Sequence, residues 1–412
     1  MSHGPLEGIR VADFTQLYQG PLASQILGDL GADIIKVEPP QGDFLRRWSL
    51  GDYYPAGESL SFLSVNRNKR SVVIDLKKPE GTEIARRLIS RADVLLENFR
   101  PGVMDRLGLV YDDLERANPR LVYCASSGYG QTGPYRDWPG QDLLIQALAG
   151  TLWLNGRRGD PPTAVGFGIA DGVAGLQIVQ GVLAALYERE RSGKGQRVET
   201  SLLSSLLVLE NQPLTYYLNT HRLPIRPEAH TTEMYAGAPL GVYETSDGYV
   251  AVAMMPIGRL ATLLGIDELR DSIATNDIER RDEIHEALEA GFKTRTRDEW
   301  MEILRAADVW AAPVHEFSEV EQDPQINWNG SFAPIDHPTV GQLLVIRSGL
   351  DFSRTPAGIR RPPPLFGEHT EEVLADLGYE DGEVAVLIAS EVAVAAAPAP
   401  KAKNGEETTR PA

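Results

Sequence analysis

Apolar positions in the first third of the chain follow two alternating modes, short continuous runs and longer stretches with a three-to-four spacing. Ile9-Arg10-Val11-Ala12-Asp13-Phe14 reads as a strand, Pro21 to Leu30 as a short helix and Ile34-Ile35-Lys36-Val37-Glu38 as the next strand. Gly20-Pro21 opens that helix and Gly31 closes it, because proline is tolerated where a helix starts and glycine where it ends. The alternation repeats with Ser71 to Leu76 as a strand, Glu80 to Arg91 as a helix, and Asp93 to Glu97 and Leu121 to Ala125 as strands. Strands alternating with helices predict a parallel sheet covered on both faces, a Rossmann-like α/β domain. Ligands on such sheets bind at the carboxyl ends of the strands. Phe14 to Gly20, Glu38 to Phe44, Asn98 to Gly102 and Ser126 to Gly133 then share one rim.

Further along, Val173, Leu176, Val179, Leu183 and Leu186 keep the spacing of one buried helix face. Arg197 to Thr200 reads as a short strand and Leu202 to Leu218 as one more helix. Proline and charge rise through Leu223 to Glu228, as in a linker. A hairpin is expected from Leu240 to Glu244 and Tyr249 to Ala253 around Ser246-Asp247-Gly248. Helical, acidic sequence then runs to about Ala307, and a last helix is expected from Thr370 to Leu377. The pattern divides the chain into a large Rossmann-like domain, residues 1–222 with 326–390, and a smaller middle α+β domain, 223–325. The Ala/Pro/Lys-rich stretch 391–412 has little to bury and reads as a disordered tail.

With 412 residues, 42% of them hydrophobic, the chain can supply two cores. Its formal net charge of -18 argues against nucleic acid or an anionic membrane as main partner. No stretch reads as long enough for a membrane span, and Met1-Ser2-His3-Gly4-Pro5 has neither the basic nor the apolar part of a secretory signal. A cytoplasmic location is expected. Cys124, the only cysteine, excludes an internal disulfide framework, and its strand-like flanks predict a buried, inert thiol. No histidine pair has zinc-ligand spacing, so no metal site is expected.

The candidate chemistry centres on Asp171 in Gly166-Phe167-Gly168-Ile169-Ala170-Asp171-Gly172-Val173-Ala174-Gly175. Free backbone N–H groups and the helix dipole favour an ionised carboxylate at a helix start. On position alone, capping outweighs catalysis. The glycines weaken a helix start that needed only a cap, and they would let a bulky ligand approach the backbone. Gln19-Gly20-Pro21 lacks the Gly-x-Gly-x-x-Gly of nicotinamide binding, and Ala125-Ser126-Ser127-Gly128 lacks the Gly-x-Ser-x-Gly elbow of serine hydrolases. Met254-Met255 and His315 read as packing and structural residues.

A series of short motifs then carries a resemblance. They are Val11-Ala12-Asp13-Phe14-Thr15, the run from Leu30-Gly31-Ala32-Asp33 through Glu38, Asn66-Arg67-Asn68-Lys69-Arg70-Ser71, Glu97-Asn98-Phe99-Arg100-Pro101-Gly102, Gly140-Gln141-Asp142, Gly193-Lys194-Gly195-Gln196 and Gly367-Glu368-His369-Thr370. In this order, from Leu6 to about Tyr379, the chain resembles a class III CoA-transferase. The resemblance implies that Asp171 is a nucleophile exchanging CoA between an acyl-CoA thioester and a free carboxylic acid, with no tightly bound cofactor. It further implies an interlocked homodimer with active sites between large and small domains. Asn98 and Arg106 match CoA-contacting positions, and Lys36, Lys69 and Arg70 are further candidates for its phosphates.

Tyr18 and Pro39 depart from the formyl-CoA transferase pattern, which has glutamine and arginine there, and so argue against formyl-CoA and oxalate. Gln141 stands where the related α-methylacyl-CoA racemases carry histidine, and an amide cannot relay a proton near neutral pH. Transfer is therefore preferred to racemisation. Asp142 takes a supporting role beside Gln141 and Tyr18. A CoA-binding subunit completed by a paired homologue is the other alternative.

Overall fold

The computed structural model describes residues 4–228 and 234–396. The chain divides into two compact units, one of Met1–Pro139, Asp171–Leu202 and Ser331–Ala412, the other of Gly140–Ala170 and Leu203–Gly330. Residues 140–170, 203–222 and 326–330, expected in the large domain, fall in the second unit.

In the first unit, strands β1 (Arg10–Asp13), β2 (Asp33–Glu38), β3 (Lys69–Ile74), β4 (Val94–Glu97), β5 (Val122–Ser127) and β6 (Arg197–Ser201) pair in parallel in the order β3-β2-β1-β4-β5-β6. Helices Gln19–Asp29, Pro79–Ser90 and Ile169–Ser192 separate them. The side chains alternate between two apolar layers, as strands buried on both faces require. Ala12, Ile35, Val72, Leu95 and Tyr123 pack with Ile84 and Leu88 of helix Pro79–Ser90. Val11, Ile34, Leu96, Val122 and Cys124 pack with Ala23 and Leu27, and with Ile178, Val182 and Ala185 of helix Ile169–Ser192.

That helix departs from expectation in two ways. Leu176 and Leu183 of the predicted face are exposed, Val173 is half-buried, and the sheet is met instead by Ala174, Ile178, Val182 and Ala185 with Val179 and Leu186. The helix carries apolar residues all round, so periodicity could not choose the face, and the sheet selected the smaller side chains. By length and composition its 24 residues would also suffice to cross a membrane, contrary to the expectation that no stretch would. Its packing on β1, β2, β4 and β5 is that of a core helix.

In the second unit β7 (Gly241–Glu244), β8 (Tyr249–Val252) and β9 (Ala311–Pro313) form an antiparallel sheet, the first two being the expected hairpin. Helices Ile257–Leu264, Arg281–Phe292 and Arg297–Ala306 cover it. Tyr243 stacks on His285 and Phe292, and the Trp300 indole donates to the Phe292 carbonyl at 2.6 Å. Met255 joins this core whereas Met254 is exposed. The single helix expected from Leu202 is two, Leu202–Leu209 and Asn211–Thr220. Pro213 has no N–H for the Leu209 carbonyl, so the ladder breaks there.

Back in the first unit, β10 (Phe332–His337) and β11 (Gly341–Ile346) make a hairpin. Helix Thr370–Asp376 is not the last, because Asp381–Ala389 follows it. The expected tail also begins too early: β12 (Ala393–Val394) pairs antiparallel with Ile74 and Val73 of β3, with Val392 and Ala393 buried. An edge strand with open N–H and C=O groups gains from such a cover. The remainder of that tail, 397–412, lies outside the described residues.

Candidate active site

The strand order reverses between β1 and β4, and the crevice at such a reversal, on the carboxyl edge, is where open α/β sheets bind ligands. The loop after β1 and the loop after β4 meet there: Asn98 accepts from the Gln16 N–H at 2.9 Å and donates to the Gln16 carbonyl at 2.8 Å. Helix Ile169–Ser192 joins β5 to β6, and a helix linking parallel strands runs against them. Its N-terminus, with Asp171, therefore belongs to the same edge.

Asp171 is the third residue of that helix, a first-turn position rather than the cap. There the unsatisfied N–H groups and the dipole still favour its anion. Gly175 lies one turn further on the same face. A Cβ at Gly175 would stand 3.0 Å from the Gln19 carbonyl oxygen and 3.2 Å from the Leu22 side chain, so this glycine lets the helix close on the start of helix Gln19–Asp29. Gly166 and Gly172 face open space instead. Tyr18 occupies the N-cap position of Gln19–Asp29. Partial burial, and then the negative charge of Asp171, raise its phenol above the ordinary range. A neutral O–H donor thus sits within the field of the Asp171 carboxylate.

Three of the basic residues expected at CoA phosphates turn inward, which corrects that expectation. Lys36 is fully buried, its ammonium 2.7 Å from Asp43 and 2.9 Å from the Thr15 carbonyl. Lys69 is equally buried and donates to the Pro21 carbonyl at 2.9 Å and Asn66 at 2.8 Å, with Asp13 at 3.4 Å. Burial pulls its pKa down to about 7 against the attraction of Asp13. Arg70 is held by Asp33, Glu372 and Asp376 at 2.7 to 2.9 Å. The side-chain amide of Asn98 is committed at both ends to Gln16. A sequence cannot distinguish a buried ammonium serving backbone carbonyls from an exposed one awaiting a phosphate.

Arg106 is exposed, with no acidic partner among the described residues. Its guanidinium lies 3.3 Å from the point where Gly102 would carry a Cβ, and the Arg136 guanidinium lies 3.4 Å from the same point. Arg136 escaped the sequence reading although it follows the expected rim stretch Ser126 to Gly133 by three residues. Its loop packs on itself through Tyr135 stacked on Trp138 at 4.1 Å, with Tyr129 edge-on to both. Two converging guanidiniums beside a glycine suit a phosphate, which takes charge-assisted bonds from both.

In the second unit Gln141 caps helix Asp142–Ala149, accepting from the Leu143 N–H at 3.1 Å, and Asp142 is buried and accepts from the Gln146 amide. Cys124 is buried, its thiol pushed up to about 12 by burial and then Glu97. Burial likewise raises Glu97 to about 7, opposed by bonds from the Phe99 N–H and Tyr123 hydroxyl. His315 contacts Asp323 at 3.2 Å through Nε2. No group of three potential metal ligands occurs among the described residues.

The family model described as CoA-transferase family III matches residues 6–370. The succinyl-CoA:glutarate CoA-transferase of Homo sapiens is 33% identical over 398 residues, covering 94% of this chain and 90% of that protein. The formyl-CoA:oxalate CoA-transferase of Streptomyces coelicolor is 34% identical over 414 residues, covering 95% and 100%. Among solved structures, a CAIB/BAIF family protein from Brucella suis superposes with a TM-score of 0.80 at 34% identity, covering 92% of this chain and all of that one.

Proposed function

This chain belongs to CoA-transferase family III, and from that premise we propose that it moves CoA from an acyl-CoA thioester to a free carboxylate through covalent acylation of Asp171. The observation that carries the site assignment is a carboxylate in the first turn of Ile169–Ser192, with the neutral Tyr18 O–H in its field, on the edge where the strand order reverses.

The Asp171 carboxylate attacks the thioester carbonyl, forming a mixed anhydride and releasing CoA thiolate. The thiolate attacks the aspartyl carbonyl of that anhydride, giving an aspartyl-CoA thioester and the donor acid. The acceptor carboxylate attacks this thioester in turn, and the released thiolate then takes the acceptor acyl group and frees Asp171. Each step exchanges one acyl bond for another, the usual gain of nucleophilic catalysis. Tyr18 donates to the oxygen on which charge develops. Arg106 and Arg136 hold CoA phosphate.

The human and Streptomyces relatives are named for glutarate and oxalate, both dicarboxylic acids, which makes a short dicarboxylate the acceptor class we infer. The Tyr18 and Pro39 departures argue against oxalate itself. A homodimer suits the exposed Leu176, Leu183 and Tyr187 of helix Ile169–Ser192 and the exposed Val208, Leu209 and Leu218 of the second unit, and it would sediment as two chains. A cytoplasmic setting suits the free, buried Cys124.

The test is exchange of CoA between succinyl-CoA and glutarate, followed by mass spectrometry, with hydroxylamine trapping of the acyl-enzyme. Asp171→Ala should abolish exchange and leave CoA affinity near that of the native protein, and hydroxylamine should modify the peptide carrying Asp171. Exchange at a comparable rate without Asp171, or trapping at another residue, overturns the assignment.

A further inference from the structure

The loop that presents Tyr18 is gripped along its whole length. Thr15 gives both its N–H and its hydroxyl to Asp13, and its carbonyl accepts from Lys36 at 2.9 Å. Gln16 is bonded at both backbone ends by Asn98. The Leu17 N–H reaches Asp43 at 3.3 Å, the Gln19 amide accepts from Ser126 at 2.7 Å, and the Pro21 carbonyl accepts from Lys69 at 2.9 Å. Leu17 itself sits at φ 65°, a left-handed conformation that is unfavourable for a non-glycine residue. A loop carrying that penalty relaxes unless its surroundings hold it.

Two fully buried lysine amino groups are an expensive way to fill a core, since apolar side chains of similar volume would do so without desolvating polar groups. A lysine N–H donor adds the ability to fix a carbonyl, and the carbonyls in question, Thr15 and Pro21, bracket Tyr18 on either side. Asn98 works differently. Its amide donates to and accepts from one and the same residue, which sets the orientation of the Gln16 peptide and so the direction in which Leu17 and Tyr18 leave it.

We propose that Asn98 is a positioning residue, which with the buried pair Lys36 and Lys69 holds the Thr15–Pro21 loop so that Tyr18 stays in register with Asp171. The inference rests on the pairing of Tyr18 with Asp171 in the reading above. It gives Asn98 a task through the loop, in place of contact with CoA.

The experiment is a double-mutant cycle on the full chain with Asn98→Ala and Tyr18→Phe, measuring kcat and KM for acyl-CoA, alongside hydrogen exchange of the peptide spanning residues 14–19. A misplaced reacting group of this kind lowers turnover by about 10- to 100-fold. Asn98→Ala is expected to lower kcat on that scale with little change in KM, and to speed exchange in that peptide. In the Tyr18→Phe background it should change kcat by no more than about twofold, because coupled residues are not additive. A rise in KM at constant kcat, or effects that multiply in the double variant while Tyr18→Phe alone slows turnover, overturns the positioning role and leaves the Tyr18 reading standing. No effect of Tyr18→Phe on kcat overturns both. Should Asn98→Ala fail to fold, Asn98→Ser, whose hydroxyl is too short to span both Gln16 groups, carries the same cycle.

Discussion

At the scale of single residues, the proposed reaction asks different things of Asp171 and Tyr18. The carboxylate must stay ionised to attack, which the first turn of a helix favours. The phenol must keep its proton to donate, which partial burial and the neighbouring negative charge both ensure. Tyr18→Phe should therefore lower kcat by about 100-fold or more, the scale seen when one donor to a developing oxyanion is removed, and steady-state kinetics of CoA exchange would show it. Glu97 is the residue whose protonation should be visible in stability. Its folded pKa of about 7 lies above the ordinary 4.5, so the native state holds the proton more tightly than the unfolded chain. Stability contributed by that proton is full below pH 4.5 and declines as pH rises toward 7. Glu97→Gln keeps a neutral acceptor there, so it should raise the melting temperature at pH 8 and leave it nearly unchanged at pH 4.5. Equal shifts at both pH values would refute this account.

Among the elements, the close approach of helix Ile169–Ser192 to helix Gln19–Asp29 is what brings the two groups together. Gly175 permits it, and the intruding atom at 3.0 Å is a backbone carbonyl, which cannot swing away as a side chain would. Gly175→Ala should force the helices apart, with destabilisation of about 1–3 kcal/mol in denaturant unfolding and a loss of kcat out of proportion to that of KM. The rim loops behave as a second pair of elements. Arg106 follows β4 and Arg136 follows β5, and their guanidiniums converge over Gly102. Arg136→Ala should raise KM for acyl-CoA by about 10-fold, the weight of one charge-assisted bond, and rising salt should narrow the difference from the native protein. The expected strands and helices were legible from the alternation of apolar runs and helical spacing. The inner face of Ile169–Ser192 was not, because a helix apolar all round carries no periodic signal for its orientation.

On the scale of the whole molecule, the first unit is closed at one edge by a strand that no hydrophobic pattern announced. Ala393 and Val394 pair with β3, and truncation after Ser390 should strip that cover and the buried Val392, destabilising the protein by about 2 kcal/mol or more, as a melting curve would record. Two residues are too short a run to read as a strand, which is why 391–396 looked like the start of the tail. The sequence by itself determined the α/β class and, through motifs kept in order, the family, and it offered Asp171 and Tyr18 as candidates. These depend on local spacing and on residue identity. Only the tertiary structure decided which way the charged residues face. It turned Lys36 and Lys69 inward to buried partners, tied Arg70 to three surface carboxylates, committed Asn98 to Gln16, and set Arg136 beside Arg106. A charge is written in one residue, but whether it meets water, a carbonyl or a carboxylate depends on atoms that the fold brings in from distant parts of the chain.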